Sequence, residues 1–235
     1  MDDSLELAAG AGPRPDFRHV RHWIFDLDNT LYRADCGLFT QIEARMTDFV
    51  AALTGTERGE ARRIQKDLYR QYGTTLSGLM ATRGIDAEDY LAFVHDIDLS
   101  PLTPDPLLRL AIGRLPGRRY VFTNGCRHHA ARILKALDLA PLFDTIWDIR
   151  SIGFVPKPDR RAYEAVVAAA ALPPGEAAMF DDIPHNLVQA RALGMTTVWL
   201  KTGADFAPGE ISLAAPHHFD HETADLTAFL NGIRI

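Results

Sequence analysis

Cysteine is almost missing: the 235-residue chain has two, Cys36 and Cys126. Two thiols cannot build the disulfide framework of a small secreted protein, so both read as free thiols in a reducing compartment. A basic excess is also lacking, since 25 Lys+Arg against 31 Asp+Glu leave a net charge of −6. That balance argues against a nucleic-acid polymer as partner, because such binders usually carry a basic face. Long apolar runs are absent too, and the longest, residues 165–172, is too short to span a bilayer. The opening Met1-Asp2-Asp3 has the wrong charge for the start of a signal peptide. There is no internal repeat and no low-complexity tract. The expectation is a soluble, cytoplasmic protein with no membrane partner. An apolar share of 47% with 24% charged residues excludes general disorder, and a chain of this length buries enough surface to fold without a disulfide or metal staple.

Residues 1–17, with small residues and turn formers but no sustained period, read as a flexible N-terminal tail. His22-Trp23-Ile24-Phe25 is a short aromatic and β-branched run stopping at Asp26, the pattern of a buried strand. The texture then changes. Ile42, Met46, Phe49 and Val50 share one helical face, Ile64, Leu68 and Tyr72 recur at fours, and Tyr90, Phe93 and Val94 are spaced likewise. Residues 36–104 therefore read as an all-helical cap, with Pro101, Pro104 and Pro106 marking its exit. Beyond it the chain alternates. Strands are expected at 119–122, 145–147, 177–180 and 196–200, with helical stripes on Ala130 to Leu137, Tyr163 to Ala170 and Leu187 to Leu193, the last ended by Gly194. Repeated β–α units predict an α/β, Rossmann-like parallel sheet with helices on both faces, formed by residues 18–35 and 105–235. A last short strand is expected at 217–219, with N-cap candidates for the final helix at 220–223.

In an open parallel sheet, sites form at the carboxyl ends of strands. Four polar clusters follow or lie between the predicted strands here: Asp26-Leu27-Asp28-Asn29-Thr30, Thr123-Asn124-Gly125, Lys157-Pro158 and Asp181-Asp182. This is the residue set that phosphoryl transfer through an aspartate needs. On extended chain Asp26 and Asp28 lie on one side, about 6.5–7 Å apart along the strand, so one can attack while the other handles protons. An anionic carboxylate attacking an anionic phosphate needs its repulsion cancelled, and Mg²⁺ held by Asp26 and Asp182, with Asp181 outside them, does that. Lys157, Thr123 and the backbone N–H groups of Asn124 and Gly125 can hold the transferring oxygens. Asp181 and Asp182 can also cap the helix that follows.

Those four clusters, in that order, resemble motifs I to IV of the haloacid dehalogenase (HAD) superfamily over about residues 20–235. The inserted helices resemble its C1 cap type. Asp26 to Tyr32, Phe122 to Gly125 with His129-Ala130, and Tyr72-Gly73 through Gly78-Leu79 resemble the pyrimidine 5′-nucleotidase branch. The resemblance implies Asp26 as the nucleophile that forms an aspartyl-phosphate and Asp28 as the general acid and then base. It implies Mg²⁺ on the Asp26 side chain, the Asp28 backbone carbonyl and Asp182, with Thr123 and Lys157 orienting the phosphoryl group. Where many members carry a further acid, this chain has Asn186, and Asp181 supplies the charge instead. Asp28 also separates phosphatase from dehalogenase, because a halide leaves without a proton and a sugar alkoxide does not. The implied substrate is a small phosphorylated metabolite, foremost a nucleoside monophosphate. Sugar phosphates, a phosphomutase reaction, a haloacid dehalogenase, which Asp28 opposes, and an idle phospho-ligand-binding domain are the alternatives.

Some residues invite readings of less weight. His217, His218 and His221 match no zinc spacing. His128 and His129 are expected on a helix surface. Arg127 is a candidate phosphate or cap-closing residue, and Tyr72 a candidate for stacking on a base.

Overall fold

Burial on both faces builds the sheet. The structure is a computed structural model that describes residues 14–203 and 219–235. The chain begins with β1 (His22–Phe25), then runs through α1 (Leu38–Thr54), α2 (Arg58–Tyr72), α3 (Thr75–Arg83), α4 (Ala87–Val94) and α5 (Pro106–Gly113). Strand and helix then alternate: β2 (Arg118–Phe122), α6 (Arg127–Ala136), β3 (Thr145–Trp147), α7 (Arg160–Ala170), β4 (Ala177–Asp181), α8 (Pro184–Ala192), β5 (Thr196–Leu200), β6 (His221–Thr223) and α9 (Leu226–Gly232). Among the described residues the six strands form one sheet in the order β3-β2-β1-β4-β5-β6, every neighbouring pair parallel.

Trp23 and Phe25 of β1, Val121 of β2 and Ala178 and Phe180 of β4 enter one core cluster, packed under α5, α6 and α9. Ile24, Tyr120, Phe122, Ala177 and Met179 face the other way, onto α7 and α8. The two-residue period of a strand makes this division, and it is why the central strands read as continuous apolar runs. The Phe25 and Phe180 rings stack at 4.7 Å across the β1–β4 pair. Gly117 sits in the turn before β2 at φ +86°, so close to the chain that an added Cβ would lie 2.2 Å from the carbonyl oxygen of Arg21. Only glycine fits there.

Four helices, α1 to α4, separate β1 from α5. The first three end on glycines in the left-handed region at Gly55, Gly73 and Gly84, and α4 ends at His95. Where the helical segment leaves and rejoins the sheet, the side-chain amide of Gln41 holds the backbone of Asp98 twice. It donates to the carbonyl (3.0 Å) and accepts from the N–H (3.1 Å). No helix among the described residues is long and apolar enough to cross a membrane.

Three expectations change. Phe17, placed in the expected tail of residues 1–17, is fully buried among Trp23 and Phe229, and its N–H donates to Arg234 O (2.8 Å); residues 1–13 lie outside the described residues. Burying one such ring is worth roughly 1.5–3 kcal/mol, enough to pin the adjoining chain. Among the described residues the last strand is His221–Thr223; of the expected 217–219, Phe219 is outside any strand, and His217 and His218 lie outside the described residues. The helix after it is capped by Asp225, whose carboxylate accepts from Ala228 N–H at 2.9 Å, rather than by a residue of 220–223. His221 packs its ring 5.3 Å from Phe17, which is core packing.

Candidate active site

Because the sheet order reverses at β1, with β2 on one side and β4 on the other, the chain opens a crevice at the carboxyl ends of these strands. Asp26 is the first residue past β1, and its N–H extends the ladder to Phe180 O (2.8 Å). Its Oδ1 accepts from Lys157 Nζ at 2.7 Å, and the same ammonium donates to Asp181 Oδ2 at 2.7 Å. Lys157 is 1% exposed, so this is a buried triad. Asp181 ends β4, and its other contacts come from Ile183 N–H (2.9 Å) and the Asn186 amide (3.0 and 3.2 Å). Asp182 differs: its Oδ2 is buried with no hydrogen-bond partner.

Carboxylate oxygens of Asp26, Asp181 and Asp182 lie within 4.8 Å of one another. Burial drives Asp26 up to about 7, with the Asp181 and Asp28 charges adding to it against the pull of Lys157. Asp182 is pushed well above the usual carboxylate range, by burial first and then by Asp26 and Asp181. Burial alone would lower Lys157, but Asp181 and Asp26 more than offset it and keep the ammonium charged.

Thr123 and Asn124 leave β2 toward the same crevice. Thr123 Oγ1 accepts from Gly125 N–H (3.0 Å), which sets the turn. Both ends of the Asn124 amide are taken by Lys157, donating to its carbonyl (3.1 Å) and accepting from its N–H (2.8 Å). The Asn124 side chain thus clamps the lysine loop to the β2 loop.

Asp28 is held differently. Its Oδ1 accepts from Tyr32 Oη (2.7 Å) and pairs with His129 Nε2 (3.0 Å). Burial would raise this carboxyl, but His129 and Tyr32 hold it below its ordinary value. His129 stands in the first turn of α6, fully buried rather than on the helix surface, whereas His128 is exposed. His95, at the end of α4, stacks on it with ring centroids 4.2 Å apart. Burial and the facing His129 drive His95 down to about 3.

One cavity joins these groups. It is lined by Asp26, Asp28, Thr123, Asn124, Gly125, Lys157 and Asp182 from the sheet side. The helical segment contributes Phe39, Met46, Tyr69 and Tyr90 among others, with the Glu43–Lys66 ion pair. Two sequence candidates are not in its wall. Tyr72 ends α2 packed beside Gly78, and Tyr69, one turn earlier, takes the place expected of it. Arg127 is spent at the sheet edge, its guanidinium donating to Ile146 O and its N–H to Asp148, each at 2.9 Å. Cys36 and Cys126 are both free, and the buried Cys126 Sγ meets His95 Nδ1 at 3.3 Å. Sequence reasoning misses His95, and it gives no role to Tyr32, Tyr69 or His129, though Tyr32 and His129 fall within the quoted motifs. For His129 a signal exists, since it falls four residues before Ile133 on the apolar stripe of α6.

The family model described as haloacid dehalogenase-like hydrolase matches residues 20–194. Phosphate metabolism protein 8 of Saccharomyces cerevisiae is 32% identical over 190 residues, covering 74% of this chain and 59% of that protein. The chain therefore spans about three fifths of the length of this curated relative. In structure, the HAD hydrolase YfnB of Bacillus subtilis, solved bound to magnesium, superposes with a TM-score of 0.59 at 18% identity, over 92% of this chain and 99% of that one. A HAD phosphatase from Thermococcus onnurineus gives 0.58 at 18% identity, over 92% and 100%.

Proposed function

The chain belongs to the haloacid dehalogenase-like hydrolase family, and from that premise we propose that it is an Mg²⁺-dependent phosphomonoesterase working through an aspartyl-phosphate. The observation that carries the reading is Asp28, a second carboxylate in the same cavity as Asp26, with Oδ1 anchored by two groups. A halide leaving group needs no such residue; an alkoxide needs a proton.

The residues fit a hard divalent cation. Three buried carboxylates against one ammonium leave a surplus of two negative charges, and Asp182 Oδ2 has no partner of its own. Asp26, Asp182 and the Asp28 carbonyl would hold the ion, with Asp181 behind them, fixed by Lys157 and Asn186. When bound, it supplies positive charge that keeps Asp26 ionised and offsets the charge of the phosphoryl oxygens.

The chain's own residues do the rest. An Asp26 oxygen attacks phosphorus, and the bond from phosphorus to the ester oxygen breaks. Asp28 gives its proton from Oδ2 to the leaving alkoxide. The arriving phosphate dianion favours that protonated form of Asp28, because like charges nearby raise a carboxyl. Asp28 then takes a proton from water as the water attacks phosphorus, and the bond to Asp26 breaks to release phosphate. Lys157, the Thr123 hydroxyl and the Asn124 N–H hold the phosphoryl oxygens, while the Gly125 N–H stays on Thr123 Oγ1 and fixes the turn. Residues 36–104 act as the cap over a core of residues 18–35 and 105–235, and the cap must admit water between the half-reactions.

For substrate we propose a nucleoside 5′-monophosphate, pyrimidine foremost. The aromatic walls at Phe39, Tyr69 and Tyr90 suit a planar ring and support this reading. The test is phosphate release from nucleoside monophosphates and sugar phosphates, with Mg²⁺ or chelator, for the wild type, Asp26→Asn and Asp28→Asn. Mg²⁺-dependent release lost in both variants is the expected result. Binding without release, or haloacid turnover without Mg²⁺, would overturn it.

A further inference from the structure

His129 has no part in the chemistry outlined above, yet it is the most constrained polar side chain near Asp28. It is fully buried, and its one hydrogen bond runs from Nε2 to Asp28 Oδ1. Its Nδ1 is buried without a partner. An unpaired buried N–H is costlier than an unpaired lone pair, so the tautomer carries its hydrogen on Nε2 and donates it to Asp28. Tyr32 donates to the same oxygen. Both donors therefore converge on Oδ1, and Oδ2 is left free on a residue that lines the cavity.

The ring cannot turn away from this duty. His95 stacks on it at 4.2 Å and 15° between planes, and is itself fixed by Cys126 Sγ on Nδ1 and by Arg132 on its carbonyl. On the remaining side, a Cβ built at Gly125 would stand 3.4 Å from His129 Cδ2 and 3.5 Å from His95 Nε2, so the two rings fill the space against the Thr123 turn.

We propose that His129 is a positioning residue for Asp28: it fixes the carboxyl through Oδ1 so that Oδ2 is the oxygen that exchanges protons with the leaving group and water. His95, arriving from the helical segment, holds the His129 ring in register. This rests on the phosphomonoesterase reading. It makes a demand that a merely structural histidine does not, because the loss on removing His129 must depend on how much acid assistance the leaving group needs.

The experiment compares His129→Ala and His129→Gln with the wild type on two Mg²⁺-supported substrates. One is a nucleoside 5′-monophosphate, an alkyl ester with a poor leaving group. The other is p-nitrophenyl phosphate, which departs with little help. General acid–base assistance contributes about 10²–10⁴-fold, so misplacing the acid should lower kcat/KM of His129→Ala on the alkyl ester about 30-fold or more. That ratio is the discriminating readout: it reports only formation of the aspartyl-phosphate and should fall much less on the aryl ester, whereas hydrolysis of the intermediate, shared by both esters, enters only kcat. Gln, whose amide N–H can take the place of Nε2–H, should recover most of the loss. In an Asp28→Asn background, His129→Ala should change kcat/KM little further. Equal losses of kcat/KM on both esters, an undiminished alkyl kcat/KM, or a full additional loss in the Asp28→Asn background would overturn the proposal while leaving the phosphomonoesterase reading standing. A wild type that releases no phosphate from either ester would overturn both.

Discussion

Asp26→Asn should make the metal-free protein more stable while removing its proposed activity. In the folded chain Asp26 titrates at about 7 against an ordinary 3.8, chiefly because it is buried. The native state therefore holds this proton more tightly than the unfolded chain. The stability linked to it is complete below the unfolded value and is lost as pH rises through about 7. Each unit is about 1.4 kcal/mol, so by pH 8 the wild type has given up at most about 4 kcal/mol that an uncharged asparagine keeps. At about 2–4 °C per kcal/mol for a chain of this size, metal-free Asp26→Asn should melt up to about 8–16 °C above the wild type at pH 8. The gap should close toward pH 5. Magnesium should narrow the gap and, near a thousand times its Kd, cancel it, because a ligand at that level adds about 4.1 kcal/mol to the form that binds it, and the variant has lost a charged ligand. Thermal melts across pH 5 to 8.5, in chelator and in Mg²⁺, measure all of this. A metal-free variant that melts at or below the wild type at pH 8, or a gap that widens on acidification, would refute the account of the carboxylate cluster.

Lys157→Met should abolish turnover and destabilise the metal-free protein by about 3–5 kcal/mol at pH 8, because it strands two buried carboxylates that each sit 2.7 Å from the ammonium. Urea denaturation reads the loss, and an unchanged midpoint would contradict it. Gly117→Ala should be among the most damaging small substitutions, at about 3 kcal/mol or more, since its Cβ would lie 2.2 Å from a backbone oxygen at φ +86°. A wild-type melting temperature would show that the turn can relax. Asp225→Ala removes the cap of α9 and should cost about 1 kcal/mol with kcat intact; a change in kcat would tie α9 to the site.

The central strands are legible in the sequence because burial on both faces confines polar residues to their ends. β1, β3 and β5 fall on their expected residues, and β2 and β4 each extend by one. The four polar clusters reach one cavity because each follows or adjoins a strand of a parallel sheet, and the parallel direction puts all those ends on one edge. β6 is another matter. His221-Glu222-Thr223 has no apolar alternation, and this edge strand is recognised only by its pairing with β5. The choice of Tyr69 over Tyr72 depends on which turn of α2 faces the cavity, and that is set by the close seating of α3, where a Cβ on Gly78 would lie 2.8 Å from Leu68. Arg127 is diverted by a local need, the carbonyl of Ile146 on the exposed edge strand β3. His129 shows the limit of residue-type expectation, because a histidine on an apolar stripe is buried when a carboxylate waits at the end of it.

The Gln41–Asp98 pair bears on how freely this protein can be rebuilt. Its two hydrogen bonds close a loop between residues 57 positions apart, so the excursion starts and finishes at one point, where the start of α1 meets the loop between α4 and α5. The entropy of closing a flexible loop grows only with the logarithm of its length, at about 0.6 kcal/mol per doubling. To the sheet, the excursion is then nearly interchangeable with one of half or twice its length, provided the two ends still meet. A substitution that opens the neck would take away that indifference, since the sheet would then depend on what the excursion packs against. Lineages that keep the neck are free to vary the roof of the cavity while the carboxylates beneath it stay where they are.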